Sequence, residues 1–136
     1  MSRSPRRAKR TVMSVAQYRQ GAREHNLQAG LIEYLKLHAR TDVHYFAIPN
    51  AAKRSWRDAA KMKAEGLRAG VADLCFMMSG GRVAWLELKI DNEKQTAEQV
   101  MFETICNVLG HPYMVARTFD TAVAILRSWR ILKEIK

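Results

Sequence analysis

The sequence predicts an α/β protein with helices flanking a central sheet, in the order α-β-(basic excursion)-β-β-α-β-α. Three observations carry this expectation. Leu27, Leu31 and Leu35 recur at helical spacing. The stretch GVADLCFMMSGGRVAWLELK, residues 70–89, reads as two apolar strands joined by a glycine turn. Thr96 with Gln99 three positions on forms a capping box, and Gly110 closes the helix that it opens.

The elements follow in chain order. Residues 1–14 read as a flexible basic arm, with Arg3, Arg6, Arg7, Lys9 and Arg10 and no acid in the first ten positions. Residues 15–136 read as a single domain, a length that supports one core. The first helix is expected from about Gly21 to Ala39. DVHYFAIP alternates, is rich in β-formers and ends at Pro49, so it is predicted to be a strand. Residues 51–68 are polar and basic, a helical or irregular excursion reaching Gly66 and Gly70. The hairpin strands fall near 71–78 and 83–89, with SGG as the turn. PYMVAR is a further strand, and a last helix runs from about Phe119 toward Trp129 and Leu132.

Composition narrows the function classes. Hydrophobic residues make up 48% of the chain, which is globular rather than disordered composition. No apolar run is long enough for a membrane span, and the basic N-terminus lacks the apolar core of a secretory signal. Cys75 and Cys106 fall inside a predicted strand and helix, with no spaced Cys/His cluster beside them. They read as two buried thiols of a reducing cytoplasm, not a zinc site or a disulfide framework. Lys and Arg total 23 against 13 acids, a formal net charge of +10, and such a field attracts polyanions. Lys53, Arg54, Arg57, Lys61, Lys63 and Arg68 form a second basic group just before the hairpin, opposed only by Asp58 and Glu65. Two separate basic clusters favour nucleic acid as partner over the competing reading, a solvated tail and a solvated helix face.

The hairpin itself carries charges where apolar residues dominate. Side chains alternate across a strand, so Val83, Trp85, Glu87 and Lys89 share one face and Ala84, Leu86 and Leu88 the other. With the turn centred near residues 80–81, Asp73 pairs with residue 88, give or take one. Two carboxylates and one ammonium therefore converge at the hairpin's open end. Carboxylates held together repel unless one is protonated or a cation lies between them. Oxygen donors completed by waters suit Mg²⁺ or Mn²⁺. The competing reading is a Glu87–Lys89 surface ion pair with Asp73 at a strand edge. On the first helix, Glu24 lies in line with Leu27, Gln28, Leu31 and Leu35 at about 100° per residue, whereas Glu33 falls on the opposite face. Glu24 can thus point toward the hairpin carboxylates; its competing role is an acid favoured at a helix N-terminus.

A carboxylate on a first helix, then Asp, then Glu-x-Lys on consecutive strands, resembles the PD-(D/E)XK nuclease superfamily. The nearer match is its VRR-NUC family, in phage- or prophage-type stand-alone form. The resemblance runs from EHNLQAGLIEYL through FAIPNAAKR, KMKAEGLRAGVADL, WLELK and TAEQVMFETICNVLGHPYMVART to the last helix. It departs from the family at Ala72, where proline is usual, and at Ala51 and Ala52, where glycines are frequent.

The resemblance implies a restriction-endonuclease-like α-β-β-β-α-β core with a mixed sheet. It implies Glu24, Asp73 and Glu87 as metal ligands, Lys89 as the catalytic lysine and Gln99 as the helix glutamine beside the site, with capping by Gln99 the rival role. Asn50 and glycines 66 and 70 match as well. The expected activity is Mg²⁺-dependent hydrolysis of DNA phosphodiesters, with Mn²⁺ as a substitute. Asn50, Lys53, Arg54, Arg57, Lys61, Lys63 and Arg68 are expected to hold flanking phosphates. Small stand-alone relatives imply a homodimer acting on four-way (Holliday) or other branched DNA in the cytoplasm of a bacterial host. Candidate contact surfaces are the outer side of the first helix, with Tyr34 and Leu37, and the last helix, with Trp129 and Leu132. The alternatives are a binding module with a nuclease-like fold but no catalysis, and a monomeric flap or single-strand nuclease.

Overall fold

The computed structural model describes residues 15–49 and 56–135. The expected arm, and Asn50, Lys53 and Arg54, lie outside the described residues. The elements are α1 (Val15–His38), β1 (His44–Ala47), α2 (Trp56–Ala64), β2 (Leu74–Met78), β3 (Arg82–Leu88), α3 (Ala97–Leu109), β4 (Tyr113–Ala116) and α4 (Phe119–Ser128). The four strands form one sheet in the order β1-β2-β3-β4. β1, β2 and β3 pair antiparallel, and β4 joins β3 in parallel. A parallel neighbour requires a crossover, and α3 supplies it.

Strand parity splits the interior in two. Leu74, Phe76, Ala84, Leu86, Leu88 and Ala116 face one way and pack with Leu31 and Leu35 of α1 and with Ala122, Ile125 and Leu126 of α4. A smaller cluster on the opposite face joins Ala72, Tyr113, Trp85 and Val115 to Phe102 and Cys106 of α3. Ala72, where the resembled family favours proline, is fully buried in that cluster. Cys75 and Cys106 are buried free thiols. The hairpin turn depends on left-handed backbone at Gly80 and Gly81, with φ of 79 and 73.

Two expectations change, the start of α1 and the contact surfaces, and one left open, the form of the basic excursion, is decided. α1 begins at Val15, not near Gly21. Glycine in a helix interior costs only about 1 kcal/mol, and the helix runs straight through Gly21. The basic excursion contains a helix, α2, exposed along most of its length. The contact surface assigned to the last helix is also corrected: Leu132 is buried and Trp129 packs against the core. The chain after α4 is laced to the end of α1 by Arg40 N–H to Ile131 O (2.8 Å) and Lys133 N–H to His38 O (2.8 Å), which turns Leu132 inward. Tyr34 is likewise packed against the core, and Leu37 remains exposed.

Candidate active site

The charged residues of the hairpin meet where β2 begins and β3 ends. Leu74 pairs with Leu86, and continuing that register sets Asp73 opposite Glu87, within the one-residue margin of the sequence reading. Asp73 is fixed at both ends: its carbonyl accepts from Ile48 N–H (2.9 Å), and its Oδ2 accepts from Leu88 N–H (2.7 Å). Glu87 is held between β2 and β4, opposite Val115, and is only 2% exposed. Lys89 continues the same edge, donating its N–H to Ala116 O (3.0 Å), and is 4% exposed. Such burial rules out the surface ion pair as the reason for these charges. Buried charges persist where they are paired, neutralised or bound to a cation.

Gln99 both caps the helix and contacts Glu87. Thr96 Oγ1 accepts from Gln99 N–H (3.2 Å), and Gln99 Oε1 accepts from Thr96 N–H (2.8 Å), completing the capping box. The same side chain donates from Nε2 to Glu87 Oε1 (3.4 Å). The N-terminus of α3 is therefore tied directly to the carboxylate. Glu87 Oε2 has no N–H or O–H donor among the described residues. Its near neighbour is the Asp73 carboxylate, so a hydrogen bond between the two needs a shared proton.

Electrostatics follow from this crowding. Burial, then the negative charge of Asp73, pushes the Glu87 carboxyl up to about 9, with Lys89 partly offsetting them. Burial also raises Glu24, to about 7, and the Glu93 carboxylate adds to the effect. Glu24 feels Lys89 and Asp73 as well, so α1 delivers it to the same cluster. The expected stripe is borne out by burial: Glu24, Leu27 and Gln28 are half-buried, and Leu31 and Leu35 fully so. Glu33 points away, exposed and paired with Lys36 (2.8 Å). Among the described residues no three His, Cys, Asp or Glu side chains are arranged to hold a metal ion. Asp73 and Glu87 are the pair brought face to face, and Glu24 lies near enough to feel both.

A cleft of about 400 Å³ opens over these groups, lined by Asp73, Lys89, Glu93, Gln99, Arg68 and the Ile48–Pro49 segment among others. Of the expected phosphate-holding residues, Arg68 lines it directly. Lys63 borders a neighbouring depression together with Arg68. Arg57 and Lys61 are exposed on α2 and do not line the cleft. Gly70, with φ of 87, brings the preceding loop against the start of α3. A Cβ there would lie 2.4 Å from the Glu98 carbonyl carbon and oxygen.

Sequence reasoning missed Glu93. It lies four residues beyond Lys89, and its Oε1 accepts from Lys89 Nζ at 3.3 Å. Strand parity gave no access to it, because it follows the end of β3, and a turn rather than a periodicity places it.

Comparison with known proteins agrees with this architecture. A solved structure named "VRR_NUC domain protein" superposes with a TM-score of 0.62, covering 76% of this chain and 84% of its own at 22% identity. Another, named "VRR_NUC domain", covers 80% of this chain and 95% of its own at 18% identity with a TM-score of 0.49. No family model and no curated protein matches the sequence. At this identity the first likeness establishes the fold. The mixed sheet flanked by helices is the restriction-endonuclease-like architecture that the sequence resemblance implied.

Proposed function

We propose that the chain is a VRR-NUC family nuclease that hydrolyses DNA phosphodiester bonds at the Asp73–Glu87–Lys89 cluster. The observation that carries this reading is a buried Glu87 set opposite the half-buried Asp73, beside a buried lysine and a glutamine, at a cleft that Asp73, Lys89 and Gln99 line. Asp73 and Glu87 would hold a divalent cation, Mg²⁺ or in its place Mn²⁺, with Glu24 reaching it directly or through water. The pair fits that need: a buried carboxylate oxygen without a donor faces a second carboxylate. Mg²⁺ is commonly bound by one or two carboxylates, with waters and substrate phosphate completing its shell. When bound, the cation polarises the phosphate and lowers the pKa of a coordinated water.

The chain's own groups do the rest. Lys89 directs the attacking water or offsets the negative charge that develops on the phosphate. Gln99 keeps the Glu87 carboxylate oriented from one side. Arg68, at the cleft wall, receives a flanking phosphate, which positions the backbone without reading its sequence. Branched DNA, with the four-way junction first, is the proposed substrate, cut by a homodimer. The exposed stripe Met101, Ile105 and Val108 on α3 supports an assembled state, being apolar and on one helical face. Among the described residues no helix is long and apolar enough to cross a membrane.

The test is a cleavage assay over junction, flap, single-stranded and linear DNA, with Mg²⁺ and with a chelator. Metal-dependent cutting of branched substrates supports the proposal. Binding to all of them without cutting under any metal would favour the non-catalytic module.

A further inference from the structure

The turn that leaves β3 is built to return one side chain to the site. Glu93 N–H bonds Ile90 O (3.1 Å), closing a tight turn directly after Lys89. Asp91 within it adopts left-handed backbone, φ 47, an uncommon conformation for a residue other than glycine. Strained positions of this kind persist where surrounding contacts over-determine them. Two arginines from different elements do so here. Arg23 of α1 grips the Asp91 carboxylate with both Nη atoms, Nη2 to Oδ1 at 2.8 Å. Arg117, just past β4, donates from Nη1 to both Asp91 O (3.0 Å) and Glu93 O (2.7 Å). The consequence is the Glu93 carboxylate set 3.3 Å from Lys89 Nζ, in a pair whose side chains are 27% and 5% exposed.

We infer that Glu93 is a positioning residue for Lys89: it fixes where the lysine ammonium stands in the cleft, and the Arg23–Asp91 and Arg117 contacts hold it in place. The inference rests on Lys89 acting in the proposed cleavage. A lysine on four methylenes has many rotamers, and a misplacement of about 1 Å in a reacting group can cost roughly a hundredfold in rate. Asp73 is engaged with Leu88 N–H, and Glu87 with Gln99, whereas Glu93 is the carboxylate bonded to Lys89. Glu24 lies beside Glu93, so Glu93 also links the helix carboxylate to the lysine. Exposed i,i+4 pairs are worth little, but this one lies inside the cleft, where losing one partner strands the other.

The test compares Glu93→Gln, Glu93→Asp and Arg117→Met with the wild type, using two readouts. The first is the ¹H–¹⁵N signal of the Lys89 ammonium, which needs no cleavage and no metal. It is expected to be sharp and protected from exchange in the wild type and in Glu93→Asp, and lost in Glu93→Gln. The second is cleavage of whichever substrate the wild type cuts. There Glu93→Gln is expected to lower kcat at least about tenfold with KM within about twofold, with Glu93→Asp recovering part of it and Arg117→Met falling in between. Thermal unfolding identifies any variant that fails to fold, and Arg117→Met then decides alone by the same two readouts. An unchanged Lys89 signal, or a wild-type kcat in Glu93→Gln, overturns the inference. If the wild type cuts nothing while the Lys89 signal behaves as expected, the nuclease reading fails and the Lys89–Glu93 link stands.

Discussion

Glu87 is the residue on which the electrostatics turn. Its folded carboxyl is raised to about 9, and Glu24 to about 7, from an ordinary value near 4.5. A raised carboxyl means that the fold prefers the protonated form. The contribution to stability is complete below the ordinary value and is lost as pH rises through the folded ones. The metal-free protein is therefore expected to lose thermal stability between about pH 5 and about pH 9. A divalent cation has to displace that proton, so the Mg²⁺-induced rise in Tm should grow across the same range. Glu87→Gln should flatten both trends. Calorimetric scans with Mg²⁺ and with chelator check this; a Tm that is insensitive to Mg²⁺ at every pH would show that these carboxylates hold no cation.

At the scale of elements, α1 and α3 each bring one polar side chain to the hairpin. A helix of 24 residues is about 36 Å long, so α1 packs Leu31 and Leu35 on the sheet and still carries Glu24 out to the cluster. Glu24→Ala should impair cleavage far more than Glu33→Ala, and equal losses would contradict the placement. On α3, Thr96→Ala and Gln99→Ala both break the capping box and should each cost about 1 kcal/mol of stability. Only Gln99→Ala also releases Glu87, so it should lose substantially more activity than Thr96→Ala at matched stability. Matched losses of activity would reduce Gln99 to a cap.

These elements also show what was legible in the sequence. The Thr96–Gln99 box, the Gly110 stop and the alternation of Val83 to Lys89 are local signals, and the structure reproduces them. Convergence of Asp73 and Glu87 followed from the length of one hairpin turn. Glu93 was not legible, because its position depends on Arg23 and Arg117, respectively 70 residues before and 24 after it in the chain. The inward turn of Leu132 was hidden for the same reason: it depends on bonds to the end of α1.

On the scale of the whole molecule, the described residues carry one such cluster, and under the proposed nuclease reading one cluster cuts one strand. Two-fold pairing is the simplest route to a second cut, and it is the commonest closed assembly. Light scattering is expected to give twice the chain mass of 15.6 kDa at micromolar concentration, and a mass near 15.6 kDa ends the dimer reading. The net charge of +10 makes tight but salt-sensitive DNA binding expected with or without an intact site. Binding alone therefore cannot test the chemistry. The most direct measurement is cleavage and binding of one labelled four-way junction, in Mg²⁺, by the wild type, Asp73→Asn and Glu87→Gln. The account predicts cutting by the wild type, abolished by chelator, and a loss of at least about a hundredfold in both variants with affinity within about threefold. Wild-type cutting rates in either variant would contradict it.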